Sequence, residues 1–174
     1  PRQVRSSIGI VPQEVNLDAF FSPRNLLELQ ALVSPANFAF PRNTAAGVDR
    51  QRIALLIAVL HKRVGMDIGD SDVFVNITGG VRVDEPGIDL GVAMAITSNH
   101  RDIAIDSHTV IIGEVGLGGE VRAVAQIDKR LREAAKLGFK RAIFPEYNRK
   151  GLELTDNIEL VGVKDLYDAL SILL

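Results

Sequence analysis

The side chains that most often carry chemistry are sparse in this chain. Its three histidines, His61, His100 and His108, are scattered, and no two have the helical spacing of metal ligands. Surface or packing roles suit them better. With no cysteine there is no thiol nucleophile, no disulfide framework and no thiolate metal site, which reads most simply as a cytoplasmic protein. The acidic cluster Asp67, Asp70 and Asp72 resembles the opening of a calcium loop but lacks the later bidentate glutamate, so a solvated turn is expected. Neither a metal nor a cofactor is expected. There is no phosphate loop ending in Gly-Lys-Ser/Thr, no His-Glu-x-x-His and no Gly-x-Ser-x-Gly. On these grounds the chain is expected not to hydrolyse ATP by itself. Gly116, Gly118 and Gly119 lack the Gly-x-Gly-x-x-Gly spacing of a dinucleotide loop and fit a hairpin turn.

The bulk numbers set the frame for these residues. A length of 174 residues with 47% hydrophobic content suits one core-forming domain, with room for a short appendage. Twenty basic and twenty-two acidic residues leave a net charge of -2, so any nucleic-acid contact must come from a local patch. No apolar run approaches the roughly 20 residues that span a bilayer, and the N-terminus does not read as a signal peptide. No membrane partner is expected.

Local patterning predicts the positioning elements. Residues 1–28 should hold one short strand near Ile8 to Val11 and a loop. Leu29 to Val33 reads as a strand, followed by a loop of small residues closed by Pro41. Asp49 can cap a helix reaching about Val64, with Ile53, Leu56, Ile57 and Leu60 at helical spacing and Gly65 as its stop. Val73 to Ile77 is a β-branched and aromatic strand, which Val81 and Val83 should continue. Leu90 to Ile96 is apolar and rich in small residues, as a buried helix would be. Val110 to Ile112 leads into a glycine hairpin ending near Val121. Asp128 to Leu137 is an amphipathic helix with Ile127, Leu131, Ala134 and Ala135 inward, ended by Gly138. Ala142 to Pro145 and Ile158 to Val163 are strands, and a last helix starts near Asp165. Strands and helices mix without strict alternation, which predicts an α+β class or a mixed α/β sheet.

Three stretches closely resemble the RadA/Sms family: Asp72-Val73-Phe74-Val75-Asn76-Ile77-Thr78-Gly79-Gly80-Val81-Arg82-Val83, then Gly113 to Arg122, then Glu133 to Ile143. The resemblance runs over about residues 29–174 and points to that family's C-terminal domain, which is similar to the proteolytic domain of Lon. It implies a Lon-proteolytic-domain-like α+β fold, a mixed sheet with packed helices, and a homo-oligomer of the hexameric-ring kind. It also implies a scaffold and DNA-contacting role in recombination and repair. Lon-type enzymes pair a serine nucleophile with a lysine base. Here the serine position aligns with Asp89 and the lysine position with Asp128, and no serine, threonine or cysteine lies between Pro86 and Ala95. The resemblance thus implies a degenerate dyad and no peptidase, with a working Ser/Lys peptidase as the disfavoured alternative. Some RadA sequences carry a serine where this chain has Gly87.

Candidate DNA contacts are Arg82, Arg122, Lys129, Arg130, Arg132, Lys136, Lys140 and Arg141, which can hold phosphates without reading sequence. The competing reading is a solvated helix face balanced by Asp128 and Glu133. Residues 5–27 resemble instead the glutamine-loop region of ABC-transporter ATPases, with Gln13 at the glutamine. This predicts a chimera: 1–28 of different origin, supplying a replacement edge strand, joined to 29–174. A chimera with no evolved function of its own is the second alternative.

Overall fold

The computed structural model describes residues 8–10, 27–36, 41–78, 82–152 and 158–174. Nine strands and four helices alternate irregularly along them: β1 (Ile8–Ile10), β2 (Leu27–Pro35), β3 (Asn43–Ala46), α1 (Arg50–Val59), β4 (Ser71–Ile77), α2 (Asp89–Arg101), β5 (Thr109–Ile111), β6 (Glu114–Val115), β7 (Val121–Arg122), α3 (Ile127–Lys136), β8 (Arg141–Pro145), β9 (Glu159–Val163) and α4 (Leu166–Leu173). Seven strands form one sheet in the order β3-β4-β2-β1-β5-β8-β9, and β6 and β7 form a separate antiparallel hairpin. Within the sheet, β1–β2 and β2–β4 pair antiparallel, while β3–β4, β1–β5, β5–β8 and β8–β9 pair parallel. The fold is therefore α+β with a mixed sheet, as expected.

Local chemistry explains most of the elements. The Asp49 carboxylate accepts from Gln51 N–H and Arg52 N–H, capping the start of α1. The helix continues as a π-helical turn over Leu60–Val64 and stops at Gly65, whose φ of +74° is cheap only for glycine. Every residue of α2 from Asp89 to Ser98 is buried, which is how a helix apolar on all sides must sit. Burying each of Leu90, Val92, Met94 and Ile96 contributes roughly 1.5–3 kcal/mol. The end of α2 is tied to the sheet by Asn99, whose Oδ1 accepts from Val33 N–H at 2.7 Å. Residues 27–29 of β2 pair with β1, and beyond that register Asn99 takes an amide that no strand covers.

The core has two parts, one on each face of the sheet. The larger joins α1, α2 and α4 to the inward residues of the sheet, including Leu29, Val73, Val75, Ile111, Ile143 and Val163. The smaller packs α3 through Ile127, Leu131 and Ala134 against Val110, Ala142 and Phe144. Ile111 and Ile143 face one way and Val110, Ala142 and Phe144 the other, the two-residue alternation of a strand.

Three expectations are corrected. The small-residue loop before α1 contains a strand, β3, which has too few apolar residues to announce itself but pairs with Val73–Asn76 of β4. Arg82 and Val83 do not continue β4, and Val81 lies outside the described residues. The N-terminal strand is interior, between β2 and β5, and does not form an edge. The rest of the segment likened to an ABC-transporter ATPase, Gln13 included, lies outside the described residues, as does Val11.

Candidate functional site at the start of the central helix

The chain enters α2 through a 3-10 turn over Pro86–Ile88, and two arginines converge on this entrance. From α1, Arg52 Nε donates to Asp89 Oδ1 at 2.8 Å, and its Nη2 pairs with Asp89 Oδ2. The Val115 amide donates to Asp89 Oδ2 at 3.1 Å, and Arg52 Nη2 also donates to the Val115 carbonyl at 3.1 Å. One carboxylate thus ties α1, α2 and the hairpin together. The Asp89 side chain is 1% exposed and that of Arg52 is 29% exposed. Burial pushes the Asp89 carboxyl above its ordinary range, with the Arg52 and Val115 hydrogen bonds pulling it back, while the bond to Asp89 raises Arg52 further.

From α3, Arg130 enters the same region from the other side. Its side chain is 2% exposed, pairs with Glu85 and donates from Nε to the Ala125 carbonyl at 3.0 Å. Gly87 lies between them: a Cβ there would stand 2.8 Å from Glu85 Oε1 and 3.2 Å from Arg130 Nη1. A serine at this position requires the ion pair to give way, which fits this chain's glycine. The turn is fixed from below by Gly113 N–H to Gly87 O at 2.8 Å and Leu90 N–H to Gly113 O at 2.9 Å.

The expected dyad positions are not joined. The hydrogen bonds of Asp89 go to Arg52 and Val115, whereas Asp128, in the first turn of α3, has a buried Oδ1 without a hydrogen-bond partner. Among the described residues no group of three or more His, Asp or Glu is placed to hold a metal ion. Arg52 was missed in the sequence; its signal was an arginine beside the inward Ile53, facing a core that otherwise admits only apolar groups.

The expected DNA contacts divide by burial. Arg130 is corrected: it lies inward, paired with Glu85, and cannot meet a phosphate without breaking that pair. Lys129 and Arg132 are exposed on α3, and Lys136 is exposed with Glu133 beside it at 2.7 Å. Lys140 is exposed in the following turn, and Arg141 is 40% exposed and bonded to Glu159 at 2.8 Å. Arg122 lies between Glu120 and Glu114 on the hairpin, and Arg82 pairs with Asp84. The strip on α3 is therefore continuous, while Arg82 and Arg122 belong to separate surfaces.

The comparisons bear directly on these residues. The family profile "Subunit ChlI of Mg-chelatase" matches residues 41–148, which includes both arginine pairs. Curated relatives named DNA repair protein RadA align with most of the chain. The protein of Halalkalibacterium halodurans is 54% identical over 149 residues, 86% of this chain and 33% of its own length. That of Bacillus subtilis is 48% identical over 145 residues, 83% and 32%. That of Escherichia coli is 45% identical over 147 residues, 84% and 32%. The chain thus spans about a third of the length of these relatives.

Two expectations change with these matches. They point to an AAA+-type ATPase family, which overturns the reading of the chain as no enzyme. That reading took the aspartates at the dyad positions and the missing phosphate loop as decisive, but a stretch of this length need not carry the motif. The likeness of residues 5–27 to an ABC-transporter ATPase, and the chimera drawn from it, find no support among the matches. No helix of the described residues is long and apolar enough to cross a membrane. The profile match covers more than half of the chain, which therefore belongs to the family of subunit ChlI of Mg-chelatase, with the RadA resemblance of its motifs upheld by its relatives.

Proposed function

We propose that this chain is the part of a RadA-type DNA repair protein that assembles subunits and contacts DNA, acting in the cytoplasm on a Lon-proteolytic-domain-like framework. The relatives' shared name supports the repair role. The observation that carries DNA contact is the strip on α3. The inward stripe of Ile127, Leu131 and Ala134 fixes the helix on the sheet, so Lys129, Arg132 and Lys136 are held outward, followed by Lys140. Cations held on a rigid helix can meet successive phosphates without base contacts, and such binding weakens steeply with salt. The asymmetric edges of the sheet, β3 and β9, and a homo-oligomeric ring are compatible.

The test is fluorescence anisotropy with labelled duplex DNA over a range of salt. Binding is expected to fall linearly in log affinity against log salt. The variant Lys129→Glu/Arg132→Glu/Lys136→Glu should lower the slope by about 0.9 for each phosphate it no longer neutralises. No binding by the unaltered chain at low salt, or an unchanged slope in the variant, removes DNA from the reading. Light scattering after size exclusion, at several concentrations, tests assembly.

A further inference from the structure

We propose that the open edge of the sheet at β3 takes up an extended segment of another protein, one whose side chains alternate between carboxylate and apolar. This goes beyond the repair role above and makes no use of the strip on α3. β3 stands at one end of the strand order, so its outer side has no partner strand among the described residues. Val73 N–H donates to Arg42 O at 2.9 Å, and along a parallel ladder the bonded residues of a strand alternate. Thr44 and Ala46 therefore turn their main-chain groups toward β4, as Arg42 does, while Asn43 and Ala45 turn theirs outward. Among the described residues nothing hydrogen-bonds those outward groups. Such an edge is a template for one more strand, which gains main-chain hydrogen bonds from it and selectivity from the side chains on either side.

The side chains along the edge decide which strand fits. Successive residues of β3 face opposite sides of the sheet. Ala45 packs toward the core that holds α1. Two depressions run along the edge there, one of about 380 Å³ beside Pro41 to Ala45 and one of about 370 Å³ continuing to Asp49 and Arg82. Arg50, exposed at the first position of α1, lines both. The neighbouring carboxylates are already engaged. Asp49 caps α1, Asp84 pairs with Arg82 at 2.9 Å, and the buried Asp72 accepts from Arg42 N–H at 2.8 Å. The groove therefore presents the Arg50 guanidinium to a ligand, and the exposed Arg42 side chain adds positive charge at its far end.

Thr44 faces the other way, directly beside Phe74, which in turn lies opposite Leu32. Phe74 and Leu32 are 37% and 54% exposed. A strand added outside β3 thus sets the side chain beside Ala45 against Arg50, and the next one at the end of this apolar row. A carboxylate suits the first place, where it can make a charge-assisted hydrogen bond, and an apolar group suits the second.

The probes are two short fluorescein-labelled peptides, one alternating valine with glutamate and the other valine with lysine, read by anisotropy against the full chain. The glutamate peptide is expected to bind and to weaken as salt rises, and the lysine peptide to bind far less. Arg50→Glu, a favourable residue at a helix start, should weaken the glutamate peptide by about tenfold or more. Ala45→Pro removes one outward N–H at an edge position, where proline is tolerated, and should weaken it several-fold; urea unfolding shows that both variants are folded. No binding to the unaltered chain at low salt, equal binding to both variants, or equal binding of the two peptides overturns the proposal. Loss of binding in Lys129→Glu/Arg132→Glu/Lys136→Glu would assign the peptide to the strip on α3 and overturn it as well, while unchanged binding there separates the two surfaces. Self-association that Ala45→Pro abolishes would give the edge to a second copy and overturn the partner named here.

Discussion

Arg130 and Arg132 are two residues apart on one helix, yet one is 2% exposed with Glu85 as partner while the other is exposed at the surface. Two residues turn an α-helix by roughly 200°, so neighbours of identical type face opposite environments. A cation on the inner side must bring a carboxylate with it, because an unpaired buried charge costs far more than an exposed one. Arg52 repeats the lesson from α1, where Asp89 is its partner. The inner arginines tie elements together across the start of α2, whereas Arg132 faces solvent.

The sharpest way to break this distinction is Arg52→Ala. It leaves the deeply buried Asp89 carboxylate with only the Val115 amide, and an expected loss of about 3–5 kcal/mol should appear in urea unfolding. A loss below about 1 kcal/mol would mean that Asp89 is relieved by another route and that the pair does not hold the helix entrance.

Arg130→Ala should come next, at about 2–3 kcal/mol, since Glu85 retains some solvent at 15% exposure. If it proves as mild as an exposed substitution, the inner and outer arginines are not distinct. Removing the cap of α1 by Asp49→Ala is expected to cost about 1 kcal/mol, readable from the same unfolding curves.

A finer probe is pH. Burial raises the Asp89 pKa, so its contribution is full below the unfolded pKa and is lost as pH rises through the folded value. The stability gap between the unaltered chain and Asp89→Asn should therefore narrow as pH rises from below the ordinary carboxylate range to above it. A gap that widens would show the Arg52 bond outweighing burial. Arg132→Ala, last in size, should stay within about 0.5 kcal/mol in stability while reducing the salt slope of DNA binding.

Much of the secondary structure was legible because it rests on local rules. Asp49 and Gly65 bracket α1, and Gly138, at a φ of +92°, closes α3. The β-branched run at Val73 to Ile77 sits within β4. β3 escaped notice because Asn43-Thr44-Ala45-Ala46 has no strong strand former except threonine; its partner β4 makes it a strand. The site was less legible: Asp89 was singled out, but its partner Arg52 was not, and Arg130 was placed among the surface cations.

The sequence by itself determined the helices, their caps, the apolar strands and the family resemblance, because capping, turn chemistry and periodicity act over a few residues. Only the tertiary structure decided the sheet order, the interior place of β1, the inward turn of Arg130, and the meeting of Arg52 with Asp89 across 37 positions. Those depend on which surfaces pack together and on the need of every buried charge for a partner, and neither is written in any short stretch of chain.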